Sequence, residues 1–210
     1  MKIIDTENLI SDHNYLSRII VAHPFDATLA QKIRQITIRR SERYGIAKEN
    51  IETDEITGHV ILGVGHATCR KADYEALLYH EFGHAADRMS PTFQYSEEQK
   101  QALSPTESKC VMEIWNAYIN SRLNAVGLYR PSGKICCGTL NGSVQAFPPS
   151  TEGALMAHMS ILEHEGFSCM RAEEIVQHIW QNPAITLTYT EIIAVVRNAL
   201  TNKGTEYTPS

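Results

Sequence analysis

Residues 77–87 read LLYHEFGHAAD, and His80–His84 within them form an HExxH motif. Apolar residues recur at helical spacing around the motif and predict a helix from about residue 71 to residue 88. They are Tyr74, Leu77, Leu78 and Ala85. Two histidines four residues apart lie on one face of a helix, so their ring nitrogens can bind a single ion. Zinc accepts imidazole nitrogen at about 2.0–2.1 Å, and we therefore expect His80 and His84 to be zinc ligands.

Glu81 adjoins the first histidine and lies slightly around the helix from it. From there a carboxylate can reach a metal-bound water without itself being a metal ligand. Because a metal ion lowers the pKa of its water, such a carboxylate can take the water's proton. Glu81 is therefore the predicted catalytic base.

Three further elements are predicted around the motif. Leu29, Ile33 and Ile36 favour a helix over residues 26–44, and the short β-rich run His59–Val64 predicts a strand. Residues 104–107, SPTE, have the pattern of a capping box and predict a helix that ends at Gly127. One stripe of that helix is apolar. The opposite stripe is small and polar and consists of Cys110, Glu113, Ala117, Asn120 and Asn124.

The segment 77–87 resembles the active-site helix of the zincin metallopeptidases. The predicted order of helix, strand, active-site helix and second helix over residues 20–128 also resembles that fold. The resemblance implies an α+β protein with a small sheet, an active-site helix, a glutamate helix and a mainly helical C-terminal part. His84 is followed by Ala-Ala-Asp, without the Gly and third His of the metzincins, so that subfamily is excluded. The gluzincin type remains, in which a Glu of the next helix is the third ligand.

Two glutamates of the next helix are candidates for that third ligand. Glu107 is accounted for by the capping box, whereas Glu113 lies mid-helix among small residues, and we expect Glu113 to be the ligand. Residues 113–123 are similar to the glutamate helices of the minigluzincin peptidases and their relatives. Many of these enzymes carry an acidic residue four places after the ligand, where this chain has Ala117. Asn116 or Asn120 is expected to orient the glutamate instead.

The resemblance also suggests roles for residues outside the ligand set. Asp87 either supports the site or is an exposed carboxylate. The strand His59–Val64 is either an edge strand that pairs with an extended substrate or a buried strand. His158, His164 and His178 are expected to be surface or internally hydrogen-bonded residues. One of the three could supply a transition-state donor.

The composition shift after residue 130 suggests three parts of the chain. Residues 1–130 are the expected zincin-like metallopeptidase core, and residues 131–152 a Pro/Gly-rich connector with at most a hairpin. Residues 153–210 are the expected helical C-terminal subdomain, with helical patterns at 153–165, 171–181 and 189–201. We expect these helices to share a core with the glutamate helix, since they carry enough apolar residues to need a partner surface.

The composition and net charge of the chain argue against several classes of protein. The chain has 210 residues, 43% apolar and 20% charged, which excludes disorder as its main state. A net charge of −5 argues against a nucleic-acid partner. No apolar run is long enough for a membrane span, and we expect no signal peptide. Five cysteines without CxxC spacing argue against a disulfide framework and for a reducing cytoplasm.

The sequence therefore predicts a zinc-dependent metallopeptidase that hydrolyses a peptide or protein substrate through a zinc-bound water and Glu81. The alternative is a zinc-binding zincin-fold module with little or no catalysis that acts in binding or regulation. A retained Glu81 favours the peptidase, because a purely structural zinc site needs no water-activating carboxylate. Substrate preference and oligomeric state are not indicated.

Overall fold

The computed structural model describes residues 1–43, 46–47, 50–64, 71–129, 137–140, 143–146 and 150–201, with only the backbone at 42–43, 46–47, 71–74, 137–140 and 143–146. Cys69, Cys136 and much of the predicted connector lie outside these ranges. The chain forms two compact units. Unit 1 comprises Met1–Tyr95 and Val126–Leu128, and unit 2 comprises Ser96–Ala125 and Tyr129–Ser210. The division predicted from composition, at residues 130 and 152, stays a prediction.

Unit 1 is built on a four-stranded sheet with helices. Its elements are β1 (Lys2–Ile4), α1 (His13–Val21), α2 (Leu29–Lys32), β2 (Gln35–Arg40), β3 (Glu42–Arg43), β4 (Ile46–Ala47), β5 (Asn50–Asp54), β6 (His59–Val64) and α3 (Lys71–Arg88). The sheet order is β1-β2-β6-β5, with β1, β2 and β6 parallel and β5 antiparallel to β6. A separate antiparallel pair joins β3 to β4.

Alternating side chains of the central strands form the core face of the sheet. Ile36 pairs with Val60 and Ile38 pairs with Leu62, and all four side chains are buried. The turn before β6 contains Gly58, whose φ is +69°. A Cβ atom there would lie 2.3 Å from the Lys32 carbonyl oxygen, so only glycine fits this close approach.

One prediction about this unit is wrong. The predicted helix over 26–44 is the short helix α2 followed by β2, because Ile36 and Ile38 alternate with partly exposed residues and hydrogen-bond as a strand. Of the two alternatives for the strand His59–Val64, the edge strand is excluded, because the strand lies between β2 and β5 and its backbone groups are already paired. The helix α1, which the sequence pattern did not reveal, begins after Asp12, whose carboxylate accepts from Tyr15 N at 3.0 Å.

Unit 2 is mainly helical. Its elements are α4 (Glu97–Gln101), α5 (Pro105–Ala125), β7 (Cys137–Leu140), β8 (Ser143–Ala146), α6 (Thr151–His164), α7 (Cys169–Gln181) and α8 (Tyr189–Thr201). The strands β7 and β8 form an antiparallel pair, which stays within the limit of one hairpin expected for the connector. The three C-terminal helices match the predicted helical patterns. The predicted capping box is also confirmed, since Ser104 N donates to Glu107 Oε2 at 2.7 Å and Glu107 N to Ser104 Oγ at 3.2 Å.

Helix α5 is the centre of unit 2. Its predicted apolar stripe is buried, and so are Cys110, Glu113, Ala117 and Asn120 of the polar stripe, whereas Asn124 is exposed. The helix contacts α6, α7 and α8, and Tyr118 Oη donates to the Ile185 carbonyl at 3.2 Å. The glutamate helix and the C-terminal helices therefore share one core, as predicted.

The α+β class is thus confirmed at the level of a small sheet and many helices. Of the helices in the described ranges, none is both long and apolar enough to cross a membrane.

Candidate metal centre

The HExxH histidines lie side by side on α3. The ring centroids of His80 and His84 are 5.0 Å apart, and the ring planes are inclined at 79°. Two imidazoles bound to one tetrahedral zinc ion at 2.0–2.1 Å would have their centroids about 5 Å apart. The observed pair therefore fits two positions of a zinc site. His84 is buried, with 8% of its surface exposed, and His80 is half-buried.

Helix α3 is held firmly on both sides of this pair. Leu78, Phe82, Ala85 and Ala86 are buried, which leaves His80 and Glu81 as the half-buried positions of the motif. A glutamate that is half-buried beside a histidine pair can still reach a water molecule. The exposure of Glu81 is therefore compatible with the role of a base.

A buried histidine that the sequence analysis missed contacts α3 immediately before the motif. His23 Nδ1 lies 3.4 Å from Phe25 N, which donates to it, so Nε2 carries the proton and donates to the Tyr79 carbonyl at 2.9 Å. Tyr79 directly precedes His80. The hydrogen bond thus ties the α1–α2 connection to the turn of α3 that carries the first predicted ligand.

The first half of α3 also places a carboxylate near a phenol of α1. Burial first, and then the nearby charge of Glu75, raise the pKa of Tyr15 to about 12. The phenol therefore stays neutral at physiological pH.

The other end of α3 is held by ionic contacts. Lys32 Nζ donates to the Asp26 carboxylate at 2.6 Å and to the Met89 carbonyl at 3.1 Å. Arg88 lies 3.7 Å from the Glu55 carboxylate and stacks on the Tyr95 ring. A groove of about 380 Å³ opens between these side chains. Asp87 is only 4% exposed, so of the two alternatives for this residue the exposed carboxylate is excluded and a supporting position remains.

Glu113, the predicted third ligand, lies in unit 2 within a buried polar cluster. Glu113, His158 and Asn120 are 9%, 7% and 6% exposed. His158 Nδ1 lies 2.6 Å from Glu113 Oε1, and His158 Nε2 lies 3.2 Å from Asn120 Nδ2. Asn116 Nδ2 is 3.5 Å from Glu113 Oε2, at the outer limit of a hydrogen bond. The principal partner of the glutamate is therefore on α6.

The two asparagines predicted to orient Glu113 differ in what they do. Asn116 contacts the carboxylate weakly, whereas Asn120 contacts His158, which in turn contacts the carboxylate. Ala117, four places after Glu113, is fully buried. A second carboxylate at that position would be a further buried charge, which is costly without a partner.

Glu107, the other candidate ligand, has both carboxylate oxygens engaged. Oε2 accepts from Ser104 N, and Oε1 accepts from Arg197 Nε at 2.8 Å. The Arg197 guanidinium first, and then the Ser104 backbone and hydroxyl, lower the pKa of Glu107 to about 2. These contacts support the structural role that the capping box indicates.

The expectation for the C-terminal histidines is confirmed. His164 and His178 are exposed, whereas His158 is buried and hydrogen-bonded. The sequence analysis did not identify His158 as the partner of Glu113. The sequence feature that could have identified it is the group of small residues near His158 on α6, namely Gly153, Ala154 and Ala157, which are buried. Glu113 on α5 likewise lies among small residues.

Two predicted ligands are thus brought together on α3, and the third lies on α5 in the other unit. Among the residues with described side chains, no group of three or more His, Cys, Asp or Glu is arranged to hold a metal ion. Comparison with known proteins adds no assignment, because no protein-family model, no curated protein and no solved structure matches the chain.

Proposed function

We propose that the chain is a zinc-dependent metallopeptidase of the gluzincin type. The observation that carries the proposal is the pair of imidazole rings on α3, 5.0 Å apart and inclined at 79°, with Glu81 next to the first of them. The donor set of two imidazoles and one carboxylate is one that catalytic zinc sites use. His80, His84 and Glu113 are the residues proposed to hold the ion.

Zinc, when bound, would supply a Lewis acid that polarises the scissile carbonyl and lowers the pKa of a water molecule. Glu81 is proposed to accept the proton of the attacking water and then to donate it to the leaving amine. His23, through its hydrogen bond to the Tyr79 carbonyl, would keep α3 in place while this transfer occurs. The substrate would be a peptide or protein.

The alternative proposal is a zinc-binding module with little catalysis. The observation that favours it is Ala117, because no acidic side chain supports Glu113 from its own helix. The hydrogen bond from His158 offsets that absence in part, since it supplies the glutamate with a polar partner from α6. Glu81 still favours catalysis over a purely structural site.

Zinc content and peptide hydrolysis together test the proposal. The purified wild-type chain should carry about one zinc ion, and His80→Ala or His84→Ala should remove it, because two remaining protein ligands are too few. His178→Ala is the matched control, since that histidine is exposed. Full zinc occupancy in both α3 variants would contradict the metal assignment.

The catalytic role needs a variant that keeps the metal. Glu81→Gln should retain zinc and the melting temperature but lose about two to four orders of magnitude in turnover of a generic peptide substrate. Glu98→Gln, at an exposed position of α4, is its control. A zinc-loaded wild-type chain that is no more active than Glu81→Gln would favour the binding module.

A further inference from the structure

We infer that the groove at the C-terminal end of α3 binds a small organic molecule through a carboxylate, which takes the place of the Glu55 carboxylate on the Arg88 guanidinium. The groove lies wholly within unit 1. The inference goes beyond the proposed function and does not depend on it, because it uses neither the histidine pair nor a metal ion.

The size and the lining of the groove suit a small molecule. Its volume of about 380 Å³ lies at the lower end of the range of about 300–1,000 Å³ that is typical of small-molecule sites. Its charged lining residues are Lys32, Glu55 and Arg88, and its mainly apolar ones are Met89, Pro91 and Tyr95. A ligand that combines one charged group with an apolar body matches both kinds of lining.

Arg88 is held in place as a receptor for an anion. Its guanidinium carbon lies 4.2 Å from the centroid of the Tyr95 ring, and its side chain is only 15% exposed. The stacking fixes the plane of the guanidinium, whose N–H groups match the two oxygens of a carboxylate. The Glu55 carboxylate lies 3.7 Å from Arg88, which is longer than a hydrogen bond. A carboxylate that approaches more closely can therefore replace it.

Glu55 can move away from Arg88 without disturbing the fold. It lies in the turn between β5 and β6, next to Ile56, which is 91% exposed. The backbone of this turn is held by Asp54, whose Oδ1 accepts from Ile56 N at 3.0 Å and from Thr57 N at 3.1 Å. Replacement of one carboxylate by another also leaves the net charge around Arg88 unchanged. A doubly charged phosphate would instead add an uncompensated charge beside the negative end of the α3 dipole.

Two further residues of the groove support a ligand site. Lys32 Nζ donates to the Asp26 carboxylate and to the Met89 carbonyl, so within the described part of the chain one of its three N–H groups is left for a ligand. Gln94, which also lines the groove, has a φ of +55°. Residues other than glycine seldom adopt this left-handed conformation, and strained positions of this kind cluster at ligand-binding sites.

Titration of the ¹⁵N-labelled full chain with benzoate tests the inference, and benzamide is the neutral control. The amide signals of Met89, Ser90 and Gln94 should shift with benzoate and not with benzamide. Arg88→Gln should weaken benzoate binding about tenfold or more, because charge-assisted hydrogen bonds are lost. Glu55→Gln should tighten benzoate binding about two- to fivefold, which is the factor that a partly exposed ion pair contributes.

Arg18 and Asp12 provide the matched controls, because they form a similar ionic contact of 3.8 Å at exposed positions. Arg18→Gln and Asp12→Asn should leave benzoate binding unchanged. Equal shifts with benzamide, or benzoate binding that Arg88→Gln leaves intact, would overturn the inference. If Arg88→Gln does not fold, Glu55→Gln decides, since a Glu55→Gln chain that binds benzoate no more tightly than wild type contradicts the inference as well.

A second probe identifies the source of the carboxylate. Acetyl-alanyl-phenylalanine carries its carboxylate at a peptide terminus, and its C-terminal amide is the neutral control. Binding tighter than that of benzoate would identify the C-terminus of a peptide as the ligand. Weaker binding would identify a free organic acid.

Discussion

Glu113 and His158 are 45 residues apart in the chain and share a 2.6 Å hydrogen bond inside unit 2. Burying a carboxylate costs several kcal/mol unless polar groups replace its water. The imidazole on α6 does so here, while Ala117, on the same helix as Glu113, has no polar side chain to offer. The polar partner of the Glu113 carboxylate thus comes from another helix and not from the position four places after it on α5.

The choice between the two candidate glutamates gives the first prediction. Glu113→Ala should strongly weaken zinc binding, because it removes one of three proposed protein ligands. Glu107→Ala should keep zinc but lower the free energy of unfolding by about 1–2 kcal/mol, since it loses the capping bond and an exposed contact with Arg197. Chelator competition and urea denaturation on both variants provide the measurements. Swapped phenotypes would show that Glu107 is the ligand.

Acid stability should depend on Glu107. Its pKa in the folded chain is about 2, below the ordinary value of 4.5, so the ionised form stabilises the fold. That contribution is fully present above pH 4.5 and is lost as the pH falls from there toward 2. Wild type should therefore exceed Glu107→Gln in unfolding free energy at pH 6, and the difference should shrink by pH 3. A difference that does not change between these pH values would contradict the assigned pKa.

The hydrogen bond from His23 should stabilise unit 1. His23→Leu removes the donor to the Tyr79 carbonyl and should lower the unfolding free energy by about 1–2 kcal/mol. His23→Gln is the matched variant, because its amide nitrogen can take the place of Nε2, and it should recover part of the loss. Chemical denaturation measures both. Equal stability of His23→Leu and wild type would mean that the bond does not hold α3.

Truncation should show that α5 depends on the C-terminal helices. A chain ending at residue 149 lacks α6, α7 and α8. Trp115 then loses its ring contact with Tyr189, and Tyr118 loses its hydrogen bond to the Ile185 carbonyl. We expect such a chain to aggregate or to lose its cooperative thermal transition, because a large apolar face is uncovered. A chain ending at Thr201 keeps all three helices and should melt like the full chain. A truncated chain that stays folded, binds zinc and gains peptidase activity would instead identify residues 150–201 as a cover.

Local sequence patterns predicted those elements whose determining residues lie close together in the chain. The capping box of α5 and the helical spacing around His80 and His84 are of this kind, and the structure has both helices where they were predicted. The prediction for residues 26–44 was wrong because Ile33 and Ile36 fit a helical spacing by chance. Pairing with β6 decides that Ile36 and Ile38 belong to a strand. For His59–Val64 the sequence left an edge strand and a buried strand open, because the neighbours of a strand are set by sheet order, which no local pattern records.

The sequence by itself determined the chemistry that α3 can offer, since the spacing of His80, Glu81 and His84 becomes a fixed geometry as soon as the segment is helical. It also determined the start of α5, because the capping partners are three residues apart. Only the tertiary structure decided what surrounds these groups. The hydrogen bond between His23 and the Tyr79 carbonyl joins residues 56 positions apart in the chain, and the one between His158 and Glu113 joins residues 45 positions apart. Such pairs form when separate elements pack together and bury both partners, so the requirement to satisfy buried polar groups selects them only in the folded chain.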